Sequence, residues 1–218
     1  MKKKKRIFLV GAPQLDDIKY NELKETNHFF IKNKKINVKE KYIVVLQHPV
    51  FKDQDNYEKI FFETIKACQR LNYKKYIIYP NYDPGYKSII NSLDKLKYKR
   101  KNFIIFKNLN RLDFLKLVAN SSALVGNSSS GILESASLKI GVVNIGDRQN
   151  LREKTKNVYN SDCKNIDIYK NIKKAISIKN RIKKIKNLHG DGKSSRRIYN
   201  ILKKIKINKS FLVKNTTY

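Results

Sequence analysis

The densest group of small polar residues in the sequence is the run Gly-Asn-Ser-Ser-Ser-Gly-Ile-Leu-Glu, residues 126–134. It follows a short apolar stretch and precedes a helical pattern. At such a junction the backbone N–H groups of Ser128, Ser129 and Ser130 lack helical partners, and the hydroxyls add further hydrogen-bond donors. Gly131 has no side chain, so a ligand can approach the backbone closely. These features predict a phosphate-binding loop at the start of a helix.

Glu134 lies about one helical turn beyond this loop, and its spacing allows two roles. A carboxylate accepts two hydrogen bonds, which suits the neighbouring hydroxyls of a ribose. Alternatively, Glu134 belongs to a capping box in which Asn127 or Ser128 caps the helix, and it then serves only helix stability. The sequence alone leaves both interpretations open.

Three further polar residues directly follow apolar runs: His48, Asn81 and Arg148. Because parallel strands end at the same edge of a sheet, these residues are predicted to share a pocket, where imidazole and guanidinium groups can bind phosphate. Each also has an ordinary structural interpretation, as a buried turn histidine, an Asn/Asp/Pro/Gly turn, or one more cation on a basic surface. The Gly-Asp-Gly turn at residues 190–192 is either a second anion-binding turn or a plain helix break.

The elements that must position these residues are short apolar runs alternating with longer amphipathic stretches. The runs are continuous rather than alternating, as in strands buried on both faces of a parallel sheet. We predict six strands, at residues 6–10, 42–47, 75–79, 102–106, 122–125 and 141–145. With helices between them, this order predicts an α/β fold with a Rossmann-like, doubly wound parallel sheet. Later stretches predict a long basic helix over residues 166–187, a last helix over 194–207, and a frayed tail at 208–218.

The composition limits the classes of function. The chain has 218 residues, 49 Lys plus Arg, 18 Asp plus Glu and a formal net charge of +31 at pH 7. This charge is spread along the whole chain, whereas nucleic-acid-binding surfaces concentrate it, so we predict no specific nucleic-acid partner. No apolar run reaches the about 20 residues that span a bilayer, and we expect no membrane partner. Cys68 and Cys163 are too few for a disulfide framework or a zinc site. We therefore expect a soluble, cytoplasmic protein without metal or cofactor, with one domain over residues 1–207.

Taken in order, these motifs resemble those of the UDP-N-acetylglucosamine 2-epimerase family. The resemblance extends from about residue 5 to residue 207, and its most specific parts are residues 126–134 and the Asn-Ile-Gly-Asp-Arg-Gln segment at 144–149. Both segments are similar to the hydrolysing branch of the family, which serves sialic-acid-type sugar synthesis. Because the family has the two-domain GT-B fold, the resemblance implies that this chain corresponds to the C-terminal, UDP-binding half.

The resemblance also implies which residues bind substrate. Ser128 and Ser129 would bind the diphosphate, Glu134 would bind the ribose hydroxyls, and the backbone around Asn108 and Leu109 would contact uracil. The residues at the other strand ends would line the sugar and phosphate side. The full set of implied substrate-binding residues is His48, Asn81, Leu109, Ser128, Ser129, Ser130, Gly131, Glu134 and Arg148.

The implied reaction eliminates UDP across C1–C2 of UDP-N-acetylglucosamine. Water then adds and gives N-acetylmannosamine, or a related 2-acetamido sugar, and UDP. In the family the general acid and base at C2 belong to an N-terminal domain, and this chain begins where that domain would end. The catalytic residues are therefore unassigned, with His48 as a candidate contributor. The family often has glycine at the position of Leu151, a difference that the chain is expected to tolerate, although the larger side chain is big enough to crowd the loop after Arg148.

The expected partners are UDP-N-acetylglucosamine or UDP, together with a separate polypeptide that supplies the N-terminal half, or a second copy of this chain. An alternative is a non-catalytic UDP-sugar-binding module, or the remnant of a truncated gene.

Overall fold

The computed structural model describes residues 7–50, 56–97, 102–178 and 181–205, and the tail predicted at 208–218 lies outside them. The described chain divides into two compact units, residues 18–188 and residues 7–17 with 189–205. The helices are α1 (Tyr20–Leu23), α2 (Tyr57–Gln69), α3 (Tyr86–Lys97), α4 (Arg111–Ala119), α5 (Ser130–Leu133), α6 (Asn165–Ser177) and α7 (Ser194–Leu202). The strands are β1 (His28–Ile31), β2 (Lys34–Asn37), β3 (Tyr42–Leu46), β4 (Lys74–Ile78), β5 (Phe103–Phe106), β6 (Leu124–Gly126), β7 (Val142–Ile145) and β8 (Val158–Ser161).

The larger unit is built on a parallel sheet. Among the described residues it has six strands in the order β5-β4-β3-β6-β7-β8. Strands β3, β4 and β5 follow one another toward one edge of the sheet, and strands β6, β7 and β8 follow one another toward the other edge. The topological switch point therefore lies between β3 and β6, which is where ligands bind in open α/β sheets. The predicted α/β fold with a parallel, Rossmann-like sheet is confirmed.

Both faces of the sheet are covered, which explains the continuous apolar runs. All five residues of β3 are buried. Tyr42 and Val44 pack into a layer with α4 and the β1–β2 hairpin, whereas Ile43 and Val45 face a second layer with α2, α3 and α6. A strand with apolar partners on both sides needs apolar residues at successive positions.

Five of the six predicted strands are confirmed as β3 to β7, and one is wrong. Residues 7–10 form no strand, and Ile7 and Leu9 are 77% and 99% exposed. The sixth strand of the sheet is instead β8, whose sequence Val-Tyr-Asn-Ser has little apolar character. Because β8 is at the edge of the sheet and only partly buried, it gives no continuous apolar signal.

Two other elements differ from the prediction. The antiparallel pair β1–β2 was not predicted, because its two-residue turn at Lys32 and Asn33 lacks the glycine that usually marks such hairpins. The long helix predicted over 166–187 ends as α6 at Ser177, followed by a short 3-10 turn at Ile182–Lys184. Residues 181–186 carry cations at helical spacing, and such like charges disfavour a continued helix.

In the smaller unit, an aspartate accepts hydrogen bonds from the free backbone N–H groups at the start of α7, and a second aspartate pairs with an arginine of that helix. The Asp16 carboxylate accepts hydrogen bonds from the backbone N–H groups of Ser194 (2.9 Å) and Ser195 (2.5 Å) at the start of α7. These hydrogen bonds hold the pKa of Asp16 below its ordinary value. The Asp191 carboxylate pairs with both terminal nitrogens of Arg197 at 2.7 Å. The Asp16 carboxylate thus occupies the place at the start of α7 that the anion-binding interpretation of the 190–192 turn would give to a bound anion.

The end of β6 approaches β3 more closely than a side chain would allow. Gly126 has φ +139°, and a Cβ at this position would lie 2.0 Å from the carbonyl oxygen of Leu46. Only glycine adopts this backbone conformation readily. The close approach brings the loop after β6 beside the loop after β3.

We expect Gly126→Ala to lower the free energy of unfolding by about 3 kcal/mol or more, because it combines backbone strain with a collision against backbone. Urea unfolding monitored by circular dichroism measures this loss. Gly146→Ala is the matched control. Gly146 has φ +67°, and its added Cβ would lie 3.4 Å from Cys163 Sγ, so its expected cost is about 1–2 kcal/mol. Equal losses in the two variants would contradict the proposed steric role of Gly126.

Candidate functional site

The loops that follow β3 and β6 are joined by a double hydrogen bond. The backbone N–H of His48 donates to Asn127 Oδ1 at 2.7 Å, and Asn127 Nδ2 donates to the His48 carbonyl oxygen at 2.9 Å. Both residues are buried, with 5% and 3% of their surface exposed. The Asn127 side-chain amide therefore fixes the His48 backbone through both its N–H and its carbonyl oxygen, at the switch point of the sheet.

The backbone carbonyl of Asn127 extends this connection to the loop after β7. It accepts hydrogen bonds from Arg148 Nη1 (3.3 Å) and from the side-chain amide of Gln149 (3.0 Å). One residue thus positions a histidine and an arginine that are 100 positions apart in the sequence. The predicted convergence of His48 and Arg148 is present in the structure.

The imidazole of His48 is held in one orientation. The backbone N–H of Asn81 donates to His48 Nδ1 at 3.0 Å, so Nδ1 is unprotonated and a neutral ring carries its proton on Nε2. Burial, and next the positive charge of Arg148, lower the pKa of His48 to about 4, against an opposing effect of Asp83. His48 is therefore a neutral hydrogen-bond donor near neutral pH. Asn81 takes part through its backbone, and its own side chain is exposed.

Arg148 also contacts a carboxylate across the mouth of the site. Its Nη2 lies 3.4 Å from Asp83 Oδ2, and the two side chains are 28% and 41% exposed. Because both groups reach solvent, the pair is weak. The guanidinium is thus oriented by the Asn127 carbonyl and by Asp83 but stays accessible to an anion.

The serine loop presents hydrogen-bond donors next to these groups. Within the described chain, the backbone N–H groups of Ser128 and Ser129 donate to no acceptor, and the buried Ser130 hydroxyl has no partner. Gly131 packs against β7, where an added Cβ would lie 3.0 Å from Val142 Cγ1. The donors therefore surround the start of α5 on a rigid support, as the phosphate-binding interpretation requires.

Glu134 contacts a residue outside its own helix. Its Oε1 accepts a hydrogen bond from Arg111 Nη1 at 2.8 Å, while at the helix start Ser128, one of the two predicted caps, accepts a hydrogen bond through its Oγ from the backbone N–H of Ser130 at 3.4 Å. The Glu134 side chain is 6% exposed and that of Arg111 is 41% exposed. Arg111 is the first residue of α4, two positions after Leu109, which packs partly buried against a core layer. The structure thus brings Glu134 to the loop that was predicted to contact uracil.

Three residues of this site escaped the sequence-based prediction in their observed roles. Asn127 was considered only as a helix cap, Asp83 only as part of a turn, and Arg111 not at all. Asp83 had one sequence signal, because it lies two residues after Asn81 at the end of a strand. Leu151 is fully exposed, so it does not crowd the loop after Arg148, and the larger residue is tolerated there.

The described ranges contain no group of three or more His, Cys, Asp or Glu that could hold a metal ion. None of the helices in these ranges is both long and apolar enough to cross a bilayer.

Comparison with known sequences identifies similar proteins. The sequence profile of a family described as UDP-N-acetylglucosamine 2-epimerase matches residues 1–203. A hydrolyzing UDP-N,N'-diacetylbacillosamine 2-epimerase of Legionella pneumophila is 35% identical over 216 residues, 99% of this chain and 56% of that protein. A UDP-N-acetylglucosamine 2-epimerase of Neisseria meningitidis is 30% identical over 176 residues, 81% of this chain and 46% of that protein. The chain spans about half the length of these curated relatives.

Solved structures share the fold. The UDP-GlcNAc 2-epimerase of Methanocaldococcus jannaschii, in complex with UDP-GlcNAc and UDP, matches with a TM-score of 0.68 and 21% identity, over 91% of this chain and 55% of that one. The S. aureus MnaA–UDP structure matches with a TM-score of 0.66 and 19% identity, over 93% of this chain and 55% of that one. These neighbours have the GT-B type of fold.

The lowered pKa of His48 makes a prediction for stability. The neutral imidazole contributes fully above the ordinary pKa of 6.5, and this contribution is lost as pH falls toward the folded-state pKa of about 4. We expect the wild type to lose up to about 3 kcal/mol more than His48→Asn over that interval. The Asn oxygen can replace Nδ1 as the acceptor for Asn81, but it does not titrate.

Urea unfolding at a series of pH values measures this difference. The His48 imidazole resonance, assigned by its absence from the variant, should titrate near pH 4 in NMR spectra. A midpoint near 6.5 would contradict the burial of a neutral ring.

Proposed function

The chain belongs to the UDP-N-acetylglucosamine 2-epimerase family. From that premise we propose that it binds the UDP part of a UDP-2-acetamido sugar at the mouth of its sheet, the edge at which β3, β6 and β7 end. The observation that carries this proposal is the Asn127 connection, which holds His48, Arg148 and the serine loop in one place. Neutral donors, one accessible guanidinium and a buried carboxylate are the groups that a nucleoside diphosphate needs.

The diphosphate is assigned to the serine loop. The N–H groups of Ser128 and Ser129 and the hydroxyl of Ser130 have no partner in the described chain, so an anion would satisfy them. Arg148 would bind the same anion from the other side as a planar fork, exchanging its weak contact with Asp83 for a stronger one. His48 Nε2–H faces the same anion in this proposal and adds a neutral donor.

The nucleoside is assigned to the α4–α5 side of the mouth. Glu134 would accept hydrogen bonds from the ribose hydroxyls, with Arg111 fixing the orientation of its carboxylate through the 2.8 Å contact. The loop around Asn108 and Leu109 precedes Arg111, and its backbone would contact uracil. Ribose and base therefore lie on the face of the sheet that carries α4.

The proposed reaction is that of the hydrolysing branch. The C2 proton of UDP-N-acetylglucosamine leaves, the C1–O bond breaks, and UDP departs from a glycal. Water then adds across the double bond, its oxygen at C1 and a proton at C2, giving N-acetylmannosamine or a related 2-acetamido sugar. The diphosphate gains negative charge as the C1–O bond breaks, so donors at Arg148, His48 and the serine loop stabilise the transition state more than the ground state.

The proposed setting is cytoplasmic nucleotide-sugar metabolism of the sialic-acid type. A second polypeptide, or a second copy of this chain, would supply the acid and base at C2. The competing proposal is a non-catalytic UDP-sugar-binding module. Incubation of the purified chain with UDP-N-acetylglucosamine, alone and together with the N-terminal half of a relative, followed by ³¹P NMR, distinguishes the two, since the non-catalytic module releases no UDP in either case.

The ribose assignment predicts the effect of Glu134→Gln. The wild type should bind UDP more tightly than 2′-deoxy-UDP, and the variant should weaken UDP binding by about tenfold, within the range for a hydrogen bond to a charged group. The ratio of the affinities for UDP and 2′-deoxy-UDP should also decrease, because the variant lacks the carboxylate that accepts a hydrogen bond from the 2′-hydroxyl. Calorimetric titration at constant salt measures all four affinities.

Glu22→Gln, an exposed carboxylate on α1, is the matched control and should leave both affinities unchanged. An equal loss for UDP and 2′-deoxy-UDP in Glu134→Gln would show that the residue does not bind the ribose.

The diphosphate assignment predicts a different pattern for Arg148→Gln. We expect UDP affinity to fall by at least about tenfold and UMP affinity to fall less, because the guanidinium binds the distal phosphate. Arg152→Gln removes an exposed cation four residues away and controls for net charge. Equal losses in the two variants would assign the effect to long-range charge.

A further inference from the structure

A small cavity opens beside the proposed diphosphate site. It lies at the ends of β3 and β7 and at the start of α2, and its volume is about 20 Å³. His48, Asn127 and Asp147 line it, so it is continuous with the mouth of the sheet. Such a volume accommodates about one water-sized group.

Two of the lining residues carry a buried polar atom that has no hydrogen-bond partner within the part of the chain that the structure describes. These atoms are Oε1 of Gln47 and the hydroxyl oxygen of Tyr57. The two residues are only 4% and 8% exposed. A buried polar atom without a partner has lost its hydrogen bonds to water without replacement, so such atoms usually mark a bound water, ion or ligand.

Both residues are held in position by the fold. Gln47 directly precedes His48, whose peptide is fixed by Asn127. The ring of Tyr57 packs against Gly85, where an added Cβ would lie 1.9 Å from Tyr57 Cε2. The remaining wall is largely apolar and includes Ile60 and Ile145. The cavity is therefore a preformed niche bordered by one residue with a hydrogen-bond acceptor and one with a hydroxyl.

We propose that this niche binds one hydroxyl group of the sugar ring of the UDP-sugar substrate. A hydroxyl can donate to Gln47 Oε1 and accept from the Tyr57 hydroxyl at the same time. The inference rests on the proposed function, because the sugar reaches the niche only when UDP occupies the neighbouring site. It adds two residues that determine specificity for the sugar.

Other groups fit the niche less well. A methyl group would leave both polar atoms without partners, and an acetamido group is larger than a single water-sized space. A phosphate is larger still, and its negative charge would meet the Gln47 carbonyl oxygen. Because a site that hydrogen-bonds a hydroxyl discriminates against analogues that lack it, the niche favours a sugar with that hydroxyl over its deoxy counterpart.

Tyr57→Phe and Gln47→Met test this proposal, since each removes one polar atom with little change in volume. Calorimetry gives the affinity for UDP and for UDP-N-acetylglucosamine in each variant. We expect UDP affinity within about twofold of wild type, and UDP-N-acetylglucosamine affinity lower by about five- to thirtyfold, which corresponds to one lost hydrogen bond in a buried site. Tyr199→Phe, at an exposed tyrosine of α7, is the matched control.

The outcomes separate the two proposals. Failure of the wild type to bind UDP overturns the proposed function, and this inference with it. Normal UDP binding with unchanged UDP-N-acetylglucosamine affinity in both variants overturns the inference alone, because the niche then holds only a resident water. Equal losses for both ligands also overturn it, since they indicate a general effect on the fold. A series of monodeoxy UDP-sugars should contain one analogue that is insensitive to both substitutions, and its missing hydroxyl is the one bound.

Discussion

The double hydrogen bond between the Asn127 side chain and the His48 peptide is the interaction on which the site depends. It joins the loops after β3 and β6, the two strands between which the strand order of the sheet reverses. It is possible because Gly126 allows the end of β6 to lie against the carbonyl of Leu46. The Asn127 carbonyl then orients Arg148. A side-chain amide is suited to this position because it donates and accepts at once, whereas a carboxylate would place an oxygen against the His48 carbonyl.

The large net positive charge of the chain is not concentrated in the candidate site. Its two arginines are each matched by a carboxylate, Arg148 by Asp83 and Arg111 by Glu134, and its histidine is neutral. Under the proposed function, recognition would therefore rely on donors and acceptors at fixed positions, which act in a partly buried environment where hydrogen bonds are stronger than in water. The formal charge of +31 raises the local concentration of any anion, but it does not distinguish UDP from another polyanion.

The sequence predicted the parts of the fold that carry strong apolar patterns. Strands buried on both faces, such as β3 and β7, were found, whereas the edge strand β8 and the hairpin β1–β2 were not, because half-exposed strands carry mixed residues. The serine loop, His48 and Arg148 were predicted to lie together because they come shortly after apolar runs, and the structure brings them together, while their binding roles stay a prediction. The contacts of Asn127, Asp83 and Arg111 were not predicted, since each joins residues at least 23 positions apart and depends on the order of strands in the sheet.

The proposed elimination has two requirements, stabilisation of the departing diphosphate and removal of the C2 proton, and the geometry assigns only the first to the described site. Departure of the diphosphate needs donors near its oxygens, and under the proposed assignment His48 is a donor whose charge does not change near neutral pH, because burial lowers its pKa to about 4. Removal of the C2 proton needs a base, whose ionisation must change with pH. If this chain serves an active epimerase, the pH dependence of the rate above about pH 5 therefore reports the group at C2 and not the leaving-group site described here.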